Sequence, residues 1–282
     1  MALSTPTLGD FTSKNTGTSL VVDFPSGISV DDLLLMHVVF SGGETATTPA
    51  GWTLVETAYS GTFGRAYLYR KFADSGDVSA GNVTLTTISG ATGARVLAIT
   101  GHDATTPIGA SSQAAGSGTD FNMGTITPAK ITSMIIIFIG DDSNGDATTC
   151  SGYTNVTTPP TYIELYDDQW NTNGGHMAAA YGVRTVDTAT GTLTAYLSIS
   201  NPGGGIAVSV SPADSSSTVT PSALSISGAI ASPALIVDVI LSAISTFLGI
   251  TSTVSTPTPS VTNNPWRNQS KNSSTWTNPN KS

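Results

Sequence analysis

Charge is scarce in this 282-residue chain: Asp, Glu, Lys and Arg together make up 10% of it. An average soluble domain carries about 25%. That shortage argues against a helical bundle or a coiled coil, whose exposed faces need Glu, Lys and Arg. Positive charge is scarcest, with 10 Lys and Arg against 19 Asp and Glu, a net charge of −9 and a pI near 4.5. An ordinary nucleic-acid binder is therefore not expected. Cysteine is nearly absent. Cys150 stands alone, so no intrachain disulfide can form. Residues 1–17 lack a basic stretch followed by an apolar one, so no Sec-type signal peptide is expected. The sequons at Asn82, Asn155, Asn268 and Asn272 accordingly read as products of abundant Asn, Ser and Thr.

Thr, Ser, Ala and 29 Gly fill the space. This mixture suits strands with Ser/Thr-covered faces and glycine-rich turns. Runs such as 19–24, 32–40, 65–72, 82–88 and 94–99 are separated by Pro25-Ser-Gly27, Gly42-Gly43, Ser89-Gly90 and Gly93. Short runs with turn clusters about every ten residues predict an all-β sandwich over residues 1–212. In Arg65–Phe72 the alternation places Ala66, Leu68 and Arg70 on one face and Tyr67, Tyr69 and Lys71 on the other.

An internal repeat runs through this region. Leu33–Phe40 matches Met134–Ile139, and Gly51-Trp52-Thr53 matches Gly152-Tyr153-Thr154. Ala66–Tyr69 aligns with Ala178–Tyr181, Thr84-Leu85-Thr86 with Thr192-Leu193-Thr194, and Val96–Ile99 with Ile206–Val210. Order is kept while spacing grows, as in a diverged duplication with halves at about 18–110 and 120–212. The halves can close as one jelly-roll-like sandwich or stand as two small ones. The single sandwich is favoured, because burial rises with size.

Composition changes after residue 212. The body to residue 214 holds 18 acidic and 7 basic residues; the remainder holds Asp238 against Arg267, Lys271 and Lys281. Residues 213–221 read as a linker. Residues 222–262 are apolar with a single charge, and 234–250 reads either as extended chain or as a helix. A membrane anchor is not favoured, since a span needs about 20 residues and tolerates a central Asp poorly. In residues 263–282 a Trp-Arg-Asn-Gln-Ser-Lys motif from Trp266 recurs, in looser form, from Trp276. Such a tail buries its apolar surface against copies of itself or a particle, with Trp266 and Trp276 as anchors and Arg267, Lys271 and Lys281 meeting acidic surface. An extended C-terminal assembly tail and a homo-oligomer, with a trimer as the guess, are the expectation.

Chemistry-bearing motifs are few. His37, His102 and His176 are far apart and in no ligand spacing, and read as packed histidines. Cys150 reads as a small buried side chain. Asp141, Asp142, Asn144 and Asp146 cluster oxygen ligands that Ca2+ could use, although the spacing is not that of an EF-hand. No other cofactor is expected. Asp167, Asp168 and Trp170 read as a second acidic loop with an exposed Trp, a combination that binds sugars. No catalytic residue is assigned.

The segments 25–35, 49–55, 66–73 and 93–101 resemble a β-sandwich module common in the virion proteins of tailed bacteriophages, including minor tail, fibre and decoration proteins. The low-complexity C-terminal end is also similar to such proteins. The resemblance implies a non-enzymatic structural protein of the extracellular particle, made in the host cytoplasm. Its partners would be itself, other virion proteins and host-surface glycans, not nucleic acid. A free carbohydrate-binding module or adhesin is the alternative. The second half departs from the pattern, with Tyr153 in place of Trp.

Overall fold

The computed structural model describes residues 2–42, 47–60, 63–86, 90–142, 148–155, 157, 159–170 and 175–214. The segment 215–282, and with it Trp266, Arg267, Lys271, Trp276 and Lys281 expected to serve assembly, lies outside the described residues, as do the expected Ca2+ ligands Asn144 and Asp146.

The architecture is nearly all β, with antiparallel ladders. The first half of the chain supplies β1 (Thr7–Leu8), β2 (Thr12–Lys14), β3 (Ser19–Asp23), β4 (Leu33–Phe40), β5 (Thr53–Ser60), β6 (Phe63–Phe72), the helix α1 (Ser75–Ala80), β7 (Asn82–Thr86) and β8 (Thr92–Ile99). The second supplies β9 (Ile108–Thr125), β10 (Met134–Asp141), β11 (Cys150–Asn155), β12 (Ile163–Gln169), β13 (His176–Val183) and β14 (Thr192–Val210). The short helix was not expected from the strand pattern. An Asp74–Asp77 capping box opens it, and Gly81, at φ 69°, closes it.

One sheet has the order β1-β8-β4-β6-β5, with β2 also on β8. The other has the order β11-β14-β10-β13-β12, with β9 also on β14. The central four strands, β8-β4-β6-β5 and β14-β10-β13-β12, follow one plan. Leu33 faces Phe72 and Ile99 across its ladders, as Met134 faces Val183 and Val210. Both edge strands carry an irregularity at the same place, between Leu54 and Glu56 in β5 and between Glu164 and Tyr166 in β12.

These ladders correct two sequence matches. Thr53, facing Arg70, corresponds to Ile163, facing Tyr181, so Gly51-Trp52-Thr53 does not align with Gly152-Tyr153-Thr154, which lies on β11 beside β14. With Leu33 equivalent to Met134, Tyr69 corresponds to Ala180, not to Tyr181. A slip of one residue reverses the face of a strand. Tyr69 accordingly packs on the outer side of its sheet, and Tyr181 packs between the sheets.

The sheets pack face to face as a β-sandwich. The cluster between them draws on Leu33, Leu35, Leu97 and Ile99 from one sheet and Met134, Ile136, Phe138 and Val208 from the other. Each sheet also has a second apolar face. The first is covered by the β3–β7 ribbon and Trp52, which pack Leu20, Val22 and Leu85 onto Leu34, Met36 and Val38. The second is covered by the end of β9 and the start of β14, where Phe121, Met123 and Leu193 meet Ile135, Ile137 and Ile139. The outer clusters each use one half of the chain, and the central one uses both. Every residue of β4 and β10 is therefore buried. This is why both strands read as near-continuous apolar runs, interrupted by His37 in β4 and ended by Asp141 in β10, rather than as alternating ones.

The sheets approach closely where Val39 lies over Gly140. A Cβ built on Gly140 would stand 2.4 Å from Val39 Cγ2. Gly140→Ala should therefore destabilise the protein by about 1–3 kcal/mol through overpacking. Adding Val39→Ala should recover part of the loss, since the two sites share one volume. Urea denaturation of the two single variants and the double variant measures this coupling.

Candidate functional site

The two acidic segments singled out in the sequence meet in space, and a histidine joins them. The β10–β13 ladder sets Asp141 opposite His176, and the β12–β13 ladder sets Gln169 opposite His176, with Asp167 two residues earlier. His176 Nδ1 lies 2.7 Å from Asp141 Oδ2, and Nε2 lies 2.5 Å from Asp167 Oδ1. Asp141 and the His176 ring are fully buried. The second oxygen of Asp167 accepts the Cys150 backbone N–H at 3.0 Å. Asn201 Nδ2 lies 3.4 Å from Asp141 Oδ1 and donates to Thr148 Oγ1 at 2.6 Å.

Burial alone would lower the pKa of His176. The hydrogen bonds and charges of Asp141 and Asp167 outweigh it and raise the pKa to about 9. Burial also pushes Asp141 upward, against the pull of His176. The group is an imidazolium bridging two carboxylates. Both ring nitrogens donate, so neither keeps a lone pair to act as a base. The Cys150 thiol beside it is buried, which pushes its pKa up to about 11 and leaves it a poor nucleophile.

A second polar chain lies between the sheets. Asp168 meets Arg95 Nη1 at 2.6 Å, while Arg95 Nε donates to the Gly9 carbonyl and its guanidinium sits 5.1 Å from the centre of the Tyr166 ring. Tyr166 Oη lies 2.9 Å from His37 Nδ1. His37 is fully buried, and among the described residues its Nε2 has no hydrogen-bond partner. Burial, with the charge of His176 as a lesser cause, lowers its pKa to about 3, so it is neutral. His102 is bound to backbone, with its ring nitrogens 3.1 and 2.9 Å from the carbonyls of Asp103 and Asp31.

The expected sugar-binding loop is thus corrected. Asp167 and Asp168 lie on strand β12, and their carboxylates are held by His176 and Arg95. Trp170 is 3% exposed and belongs to the central core. Its ring packs 6.0 Å from Phe11 and fills the space over Gly93, where a Cβ would come within 2.6 Å of it. A ring enclosed in this way has no face to offer a sugar. Of the expected Ca2+ ligands, Asp141 is engaged by His176, and Asp142 is buried beside it. Among the described residues no group of three or more His, Cys, Asp or Glu side chains is arranged to hold a metal ion. The bridging role of His176 escaped sequence reasoning, because only ladder register brings it between the carboxylates.

No protein-family model, no curated protein and no solved structure matches the chain.

His176→Ala should cost about 3–5 kcal/mol, because it strands buried carboxylate charge. The two histidines also give stability opposite pH dependences. The folded protein holds the His176 proton more tightly than the unfolded chain does. Its contribution is therefore complete below about 6.5 and is lost as pH rises to about 9. His37 is depressed, so its contribution is complete above about 6.5 and is lost as pH falls towards about 3. Melting temperature followed against pH should fall on both sides of about 6.5. His176→Gln should flatten the alkaline flank, and His37→Leu should make the acid flank shallower.

Proposed function

We propose that the chain is a non-enzymatic structural protein of a tailed-bacteriophage particle. In this reading two diverged repeats form one jelly-roll-like sandwich displayed outward, and the segment after residue 214 docks it to copies of itself or to other particle proteins. The observation that carries the reading is the contrast between the acidic body and residues 222–262. The body closes its apolar clusters with its own side chains. The later segment is apolar, with Asp238 its only charge. A contiguous apolar patch above a few hundred Å2 marks an interaction surface.

The described side chains support a structural role. All three imidazoles are committed to packing, to carboxylates or to backbone carbonyls. The thiol is buried and hard to ionise. The charged groups at β12 join strands to one another.

The test is sedimentation of the full chain, of residues 1–214, and of the full chain with Trp266→Ala and Trp276→Ala. The expected results are an oligomer, a monomer and a weakened assembly, respectively. A full chain that stays monomeric at about micromolar concentration, where specific assemblies normally hold, overturns the assembly reading.

A further inference from the structure

The sandwich has two mouths, each where the edge strand of one sheet lies beside the outermost strands of the other. At one, β12 lies against the segment before β2; at the other, β5 lies against β9. Ladder register makes their positions comparable. Thr12 faces Ala94 and Ala114 faces Gly205, while Ala94 and Gly205 occupy equivalent places opposite β4 and β10. Phe11 therefore corresponds to Gln113. By the same reasoning Gln169, facing His176, corresponds to Tyr59, facing Arg65. Tyr166 corresponds to Glu56.

The first mouth is plugged by Phe11 and Trp170. At the second the place of Phe11 is held by Gln113, and a groove of about 630 Å3 remains open. Glu56, Thr57, Tyr59, Gln113, Ala114 and Ala115 line it. Its volume lies within the range of small-molecule sites, roughly 300–1,000 Å3.

We propose that this open mouth binds a neutral carbohydrate of one or two sugar units. The Glu56 carboxylate is oriented on both sides, since Oε1 accepts the Thr57 N–H at 3.2 Å and Oε2 accepts the Ser111 hydroxyl at 3.1 Å. Each oxygen retains a lone pair for a sugar hydroxyl. Gln113 is exposed and offers a donor and an acceptor side by side. Tyr59 is 51% exposed, and the Arg65 guanidinium, 4.9 Å from its ring centre, steadies it from one face. An aromatic rim beside fixed polar groups suits a ligand with an apolar ring face and hydroxyl edges. None of the six lining residues is cationic and one is anionic, which selects against phosphate, sulfate and acidic sugars. The site stands on the sandwich alone and does not depend on the assembly reading.

The experiment uses the full chain and saturation-transfer NMR. The probes are lactose, maltose, cellobiose and diacetylchitobiose, with sialyllactose and glucose 6-phosphate as charged controls. At least one neutral disaccharide should bind with a Kd of about 1 mM or tighter. Tyr59→Ala, which removes the rim ring, and Gln113→Phe, which restores the plug, should each weaken it about tenfold or more. Both should leave the melting temperature within about 2 °C, as expected for surface changes. Glu56→Gln should weaken it less, because the amide still accepts one hydrogen bond. Gln169→Ala, at the plugged mouth, should change nothing. Silence from every neutral disaccharide, binding by the charged controls alone, or an unchanged Kd in folded Gln113→Phe overturns the proposal. None of these results bears on the oligomeric state.

Discussion

β4 and β10 each bury all eight of their residues, so each sheet needs cover on both faces. That requirement shapes the rest of the sandwich. One face of each sheet is covered by the other sheet. The second face cannot be left in water, and chain from the same half folds over it: β3, β7 and Trp52 on one side, the end of β9 and the start of β14 on the other. The result is three apolar clusters in a chain with few large side chains. Close approach compensates for small residues. Gly140 accepts Val39 and Gly93 accepts Trp170, so the layers meet at distances that a Cβ would forbid.

Covering both faces also encloses polar groups, and they are satisfied in two different ways. At the end of β13 an imidazolium lies between two carboxylates, and attraction offsets part of the desolvation cost. Between the sheets a neutral imidazole leans on a phenol, and among the described residues one of its nitrogens has no hydrogen-bond partner. The two histidines are shifted in opposite directions because the carboxylates around His176 outweigh its burial, whereas burial of His37, with the charge of His176 as a lesser cause, has no carboxylate to offset it. Register gives each this environment: Phe138 occupies in β10 the place that His37 holds in β4.

The shared strand plan makes the differences between the halves informative. Equivalent positions at the two mouths carry Phe11 on one side and Gln113 on the other, and Trp170 packs on Phe11. The aromatic pair contributes to the core and closes its mouth. Gln113 leaves the other mouth open, with Tyr59 half exposed and Glu56 oriented by its neighbours. Aromatic residues conspicuous in a sequence are therefore an unsafe guide to binding here. Trp170 belongs to the packing, and the less conspicuous Tyr59 lies on the open rim.

Local pattern was enough to recognise an all-β body. The strands at 33–40 and 134–141 are near-continuous apolar runs, turn clusters bound the others, and the alternation in Arg65–Phe72 assigns its faces as found. These features depend on side-chain periodicity within a single strand. β9 was not legible in the same way, because its Gly, Ser and Ala are strand-forming only beside β14. The capped turn of α1 was too short to show a period. The bridge between Asp141 and Asp167 through His176, the burial of Trp170 and the open groove by Tyr59 join residues far apart in the chain. What places them together is the register of neighbouring strands. A shift of one residue there reverses every side chain, and nothing within a single strand specifies it.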